Sequence, residues 1–289
     1  MLFILLSIVC TSYLVFAFRV FDRYGVNHFH AIVVNYFTCV VTGSLVNQHL
    51  PTYSIYAGKG WFWIALVLGV SFISLFNLMS VVTRRQGVTV TNVATKLSMV
   101  IPVSAAVVLY GEALTVPKIL GIGVSAFAVY FTSLHPEPPH PHVKKSFLLL
   151  PVVLFFGCGM TDSLVKHAQQ THLHTNEFND FNVVAFSVSA LVGLLALLYD
   201  VFGLKHPLRV QSIVAGVLLG VPNYFSLFFL IKALELPHLG ASVIFPVNNI
   251  GIVGFSAVVA WLFFHEKLST KNWLGLGLAM IAILLMSVG

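Results

Sequence analysis

Lys96 stands inside a run of apolar residues, between Asn92-Val93-Ala94-Thr95 and Leu97-Ser98-Met99. If that run crosses a bilayer, the ammonium cannot snorkel to either surface, and holding it at mid-membrane costs roughly 2.5–3.5 kcal/mol even on a lenient insertion scale. It must then face a polar cavity or a carboxylate. One chemistry that fits is the capture of a substrate carboxylate or counter-ion; the other is a structural ion pair that locks two helices. Asp162, in Gly159-Met160-Thr161-Asp162-Ser163, is the acid well inside such a segment. It is the candidate proton carrier and one candidate partner for Lys96. Lys166 competes for it, because a spacing of four along a helix puts both side chains on one face.

Uncharged polar groups extend this set. Asn35, Thr38 and Thr42 recur at helical spacing in one segment, and Ser71, Ser74 and Asn77 in another, so each segment turns a polar face inward. Such groups also act as interhelical glue worth about 0.6 kcal/mol each. Pro246-Val247-Asn248-Asn249 joins a helix breaker to two amides, whose freed carbonyls must be met by a cavity or by neighbours. Pro222-Asn223-Tyr224 repeats the combination, although a tyrosine also suits a membrane interface. The expected substrate-binding residues are Lys96, Asn92, Thr95, Asn248, Asn249, Asn223, Tyr224, Asn35 and Asn77.

No catalytic or metal constellation assembles. A hydrolase or transferase inside the membrane needs a nucleophile with its base, or paired acids and histidines, at one depth. His135, His140 and His142 fall in a proline-rich stretch, and His167, His172 and His174 follow an apolar segment, so both groups are expected in solvated loops with no fixed coordination geometry. Cys10, Cys39 and Cys158 sit singly in apolar runs and read as packing residues. No cofactor and no metal site is expected.

The elements that position these groups follow from composition. Of 289 residues, 58% are hydrophobic and 8% charged, which leaves no water-compatible surface for a soluble domain. The net charge of +6 comes from basic residues at the ends of apolar segments, a topology signal and not a nucleic-acid surface. Reading charges as boundaries gives an all-α integral membrane protein with ten helices, near 2–19, 29–47, 61–83, 88–110, 116–134, 146–168, 180–200, 210–233, 239–264 and 272–288. No basic leader or cleavage pattern accompanies the first of these, so it is expected to persist as a helix. A Pro/His-rich linker over 135–145 separates a first repeat, 1–134, from a second, 146–289.

The two repeats can be laid over each other. Gly111-Glu112-Ala113-Leu114-Thr115 falls on His265-Glu266-Lys267-Leu268-Ser269 at an offset of 154, and Leu120, Gly121 and Gly123 then fall on Leu274, Gly275 and Gly277. Val33-Val34 and Gly43 match Val183-Val184 and Gly193 at an offset of 150. Glu112 and Glu266 sit at helix ends, before Thr115 and Ser269, which can cap the next helix. The glycines after them are expected to permit close packing. Five helices per half is odd, so the second half enters from the opposite side and the repeats are inverted, as in many transporters. Ten helices, a mid-chain linker and the paired Glu112 and Glu266 motifs resemble the drug/metabolite transporter superfamily, specifically its EamA-type members. The resemblance covers essentially the whole chain, and the second motif departs from it with His265 in place of glycine.

That resemblance implies secondary transport, often export, of small polar or amphipathic metabolites such as amino acids, by alternating access. The partners expected are a small-molecule substrate and the lipid bilayer of an inner or plasma membrane, with no nucleic acid. A metal-cation transporter is the alternative, with an intramembrane enzyme behind it. Lys and Arg in the loops after odd-numbered helices outnumber those opposite, which favours both termini outside.

Overall fold

The computed structural model describes residues 2–48, 56–110, 115–133, 149–174, 177–234, 241–265 and 268–288. Among these the regular elements are all helical: α1 (Leu2–Arg23), α2 (His28–Asn47), α3 (Phe62–Gln86), α4 (Val88–Leu97), α5 (Val100–Tyr110), α6 (Val116–Ser133), α7 (Leu150–Thr171), α8 (Phe178–Leu198), α9 (Val210–Leu234), α10 (Ala241–Phe264) and α11 (Thr270–Val288). A π turn, Tyr199–Gly203, continues α8.

Among the described residues eight spans are long and apolar enough to cross a membrane, from α1, α2, α3, α4 with the start of α5, α8 with its π turn, α9, α10 and α11. The chain is therefore a multi-pass membrane protein. Val116–Thr132 is apolar but shorter. Helix α7 has the length but carries Asp162, Lys166, His167 and two glutamines, and it is not among the eight.

One expected helix is broken. The segment 88–110 divides at Ser98-Met99 into α4 and α5. Pro102 supplies the cause: it has no N–H for the Ser98 carbonyl and its ring crowds that carbonyl, which instead accepts from Ile101 N at 2.9 Å. Gly87, at φ +99°, opens α4 in a conformation that disfavours any side chain. Pro246 lies inside α10, which runs through that position as the expected 239–264 helix does.

The chain forms two compact units. The first holds Met1–Phe16, Val81–Met160 and Ser226–Gly289; the second holds Ala17–Ser80 and Thr161–Phe225.

In the first unit, α6 packs along α11 and α4 lies on α10. Val93 and Leu97, one helical turn apart, join Val253, Ala257, Leu276 and Ile283 in a buried cluster. Small residues set the α6–α11 distance. A methyl added at Gly121 would lie 2.7 Å from Met286 Cγ, and one at Gly275 would lie 2.7 Å from the backbone nitrogen of Thr132. Each glycine, near the start of its helix, thus meets the end of the other helix, so the two run antiparallel. Gly123 and Gly277, expected to pack as well, have open space where a Cβ would go.

In the second unit, α2 packs on α8. Here Gly43 approaches Val183, 2.6 Å from an added Cβ, and Gly193 approaches Val33 at 3.0 Å. These two helices are also antiparallel, because His30 near the start of α2 bonds Asp200 past the end of α8, while Asn47 at the end of α2 bonds Asp180 at the start of α8. On α3, Gly69 nests against Val188 and the Ala185 carbonyl; on α9, Gly220 nests against Thr38 and the Asn35 carbonyl, each at 2.5 Å from an added Cβ to the named side chain. Trp61, Leu68 and Phe181 fill the core at the α3 start.

Candidate functional site

Asn92, Thr95, Lys96 and Met99 share one face of the first unit's broken helix, at spacings of three and four. The neighbouring face, Val93 and Leu97, is buried in the core with Val253 and Ala257 of α10, which fixes the rotation of α4. Asn92 is 2% exposed and Asn248, on α10, 3%. The Nδ2 of Asn92 and the Oδ1 of Asn248 are both buried without a hydrogen-bond partner. A donor from one helix and an acceptor from the helix packed on it thus have no protein partner, an arrangement that costs free energy until something supplies the complementary groups. Asn249 donates to the Met99 thioether at 3.7 Å, beside the α4–α5 break. Lys96 is half-buried. Thr95 is turned otherwise than expected: its hydroxyl donates to the Thr91 and Asn92 carbonyls of its own helix, at 3.0 and 3.1 Å.

The second unit gathers other residues of the expected set. Asn35 is fully buried; its Oδ1 accepts from Asn223 Nδ2 at 3.1 Å and from Cys39 Sγ at 4.0 Å, and its own Nδ2 has no partner. Tyr224 is buried, with its hydroxyl donating to Asn179 Oδ1 at 3.0 Å. Asn77, by contrast, donates to the Ile73 carbonyl of its own helix, as Ser71 and Ser74 do to Val67 and Val70. That polar face spends its hydrogen bonds locally. Asp162 is exposed on α7. Lys96, Asn92, Thr95, Asn248 and Asn249 therefore belong to one unit, and Asn35, Asn77, Asn223, Tyr224 and Asp162 to the other.

No model of a known protein family matches the chain. It is 28% identical over 224 residues to an uncharacterized protein of Haemophilus influenzae, covering 76% of this chain and 73% of that one. Its fold is similar to that of a protein solved by crystallography, with a TM-score of 0.59 at 15% identity, over 98% of this chain and 96% of the other.

Two polar groupings escaped the sequence. At one end of the second unit, Tyr224, Asn179, Asn47 and Asp180 form a hydrogen-bonded row, with Asn47 Nδ2 donating to Asp180 at 2.8 Å and Asn179 donating to Asn47. Burial and the charge of Asp180 push the Tyr56 phenol up to about 12. Beside it, Lys59 Nζ donates to Glu177 Oε1 at 2.6 Å and Trp61 Nε1 to Oε2 at 3.2 Å. The Lys59 hydrogen bond, first among the causes, holds the Glu177 carboxyl below its ordinary value. At the other end His28 and His30 meet Asp22 and Asp200. These residues sit at segment boundaries, where polar groups read as loop, and their partners are as far as 170 positions away. The only local signal was a pair of histidines two apart at a helix start.

The remaining expectations divide. All three cysteines are free thiols, and Cys39 is fully buried. Ser269 caps α11 by accepting from Asn272 N at 3.2 Å, whereas the Thr115 hydroxyl is buried without a partner. Among the described residues no three His, Cys, Asp or Glu side chains converge on a metal position. Glu112, Glu266 and the linker histidines lie outside the described residues.

Proposed function

We propose that this protein is a secondary transporter, an exporter of small polar or amphipathic metabolites, built from two inverted five-helix repeats. One observation carries the reading: close contacts in each unit come in pairs related by the sequence offset. Gly43 on Val183 is matched by Gly193 on Val33, and Gly121 on Met286 by Gly275 on Thr132, each partner being the repeat-mate of the other. Gly69 on Val188 and Gly220 on Thr38 come within one residue of a third such couple, with offsets of 151 and 150. Contacts that exchange in this way are what a twofold relation between halves produces, and the antiparallel course of the paired helices is what an inverted relation requires. A pore or an anchor has no need of that symmetry.

The substrate site we assign lies where the halves meet inside the first unit, with Asn92 and Lys96 from the first half and Asn248 and Asn249 from the second. Buried amides without partners and a lysine on the same helical face suit a solute that brings its own acceptor and donor. Alternating access follows from rearrangement around these groups, with the bacterial relative favouring a bacterial inner membrane as the setting. The full similarity to EamA-type transporters belongs to this same proposal. Uptake by vesicles carrying the purified protein tests it: Lys96→Met should abolish flux while the yield of folded protein is kept. A variant that fails to fold, with substrate recognition persisting in what survives, would make Lys96 a structural ion-pair member instead.

A further inference from the structure

His28 and His30 open α2, and each turns a ring nitrogen on an aspartate of another element. His28 Nε2 lies 2.9 Å from Asp22 and its Nδ1 2.7 Å from Ser80 Oγ. His30 Nε2 lies 2.7 Å from Asp200 Oδ2 in the π turn, and the other Asp200 oxygen is 3.1 Å from His206 Nδ1. Exposure is graded along this second row: His30 is fully buried, Asp200 is 18% exposed and His206 62%. The row leads from solvent into the helix contact.

The carboxylate fixes the chemistry of the buried ring. Ionised Asp200 can only accept, so the His30 nitrogen that faces it carries the hydrogen and Nδ1 is the free base. That Nδ1 is buried without a hydrogen-bond partner. A proton arriving there adds to the Nδ1 lone pair, no other bond changes, and an imidazolium forms against the Asp200 charge. The carboxylate favours this product. The new N–H, however, would be a buried donor with no protein acceptor, so the protonated ring favours an arrangement in which this end of α2 has loosened. Ionisable groups on the surrounding elements include Arg19, Asp22 and Arg23 on α1, Tyr36 and Cys39 on α2, Asp180 at the far end of α8, Tyr199 before Asp200, Lys205 beside His206, and Arg209 just before α9, with His28 engaged by Asp22 and Ser80. At the opposite end of the same helix pair Asn47 donates to the Asp180 carboxylate and accepts from Asn179.

We propose that His30 with Asp200 is a proton-binding site, and that proton binding there releases the α2–α8 contact at this end. Use of that proton to drive solute movement rests on the transport reading; the binding itself does not. The test is the ring 15N shifts of the full-length protein in nanodiscs between about pH 8 and about pH 5, where imidazole changes charge. Amide exchange over 28–34 and 199–206, corrected for its intrinsic pH dependence, is followed in the same samples. Nδ1 of His30 should take up a proton and protection should fall with it. His30→Gln keeps a donor for Asp200 but no base, and should hold the protection at its high-pH level throughout. Should that variant not fold, Asp200→Asn gives an independent answer, because loss of the carboxylate should suppress proton uptake over the same window. An unprotonated Nδ1 at the acid end, a pH response surviving in His30→Gln, or unchanged uptake in Asp200→Asn overturns the proposal. Proton uptake and release of protection, without solute flux in vesicles under a pH gradient, would leave the proton site standing and sink the transport reading.

Discussion

At the scale of single residues, the Asn92 and Asn248 amides separate a binding role from a packing role. A buried polar atom without a partner contributes nothing to stability, so its removal costs little when volume is kept. Asn92→Leu and Asn248→Leu are expected to change stability by less than about 1 kcal/mol while lowering flux at least as far as the detection limit allows. Loss of stability by several times that amount, measured by thermal unfolding in detergent, would make the amides structural. The Lys59–Glu177 pair gives a pH prediction. Because the folded carboxyl titrates below its ordinary value of 4.5, the link contributes stability that is present above that value and is lost as pH falls through the folded value. Trp61 donates to the same carboxylate, so its emission should change only below pH 4.5, and Lys59→Met should move the change upward. A midpoint unaffected by that substitution would show that the ammonium does not hold the carboxyl. Of these residues the sequence disclosed those with an unusual address, such as Lys96 and the paired asparagines in apolar runs. It hid Asn47, Asn179 and Asp200, whose meaning comes only from partners brought together by folding.

At the scale of elements, glycine positions and one proline carry the account. Close approach of the α6 and α11 helices was legible in the matched glycines Gly121 and Gly275, because such contact demands a small residue. It could not be read which glycines of the motif do the packing, since Gly123 and Gly277 belong to the same pattern and face open space. That difference is testable. Gly275→Ala forces a methyl against the Thr132 backbone, which cannot rotate away, and should destabilise by about 1–3 kcal/mol. Gly277→Ala should be neutral or stabilising by up to about 1 kcal/mol, through helix propensity. Equal effects in thermal unfolding would contradict the packing described here. The break at Ser98-Met99 was available from Pro102, four residues on, but Pro246 drew the attention although its helix continues. Pro102→Ala should restore the missing hydrogen bond and join α4 to α5, which amide protection at Pro102→Ala position 102 and its neighbours would report.

At the scale of the whole molecule, composition settled the membrane setting early, since apolar runs of the right length recur through the chain. The inverted repeat proposed above makes a sided prediction. Tyr24 follows the first helix of one half and His174 the first helix of the other, and both are exposed. In a background without Cys10, Cys39 and Cys158, Tyr24→Cys and His174→Cys should be labelled by an impermeant maleimide from opposite faces of the membrane; labelling from one face would remove the inversion. The central claim concerns movement of a solute, and counterflow in liposomes addresses it most directly. Vesicles loaded with an unlabelled amino acid, nucleoside or sugar are diluted into a trace of the labelled compound, for each member of the panel and without ATP. The account predicts, for at least one of them, a transient accumulation of label that saturates with concentration and disappears in Lys96→Met. Non-saturating flux through the wild type would mean a channel, and chemical conversion of the solute an enzyme; either result would contradict it.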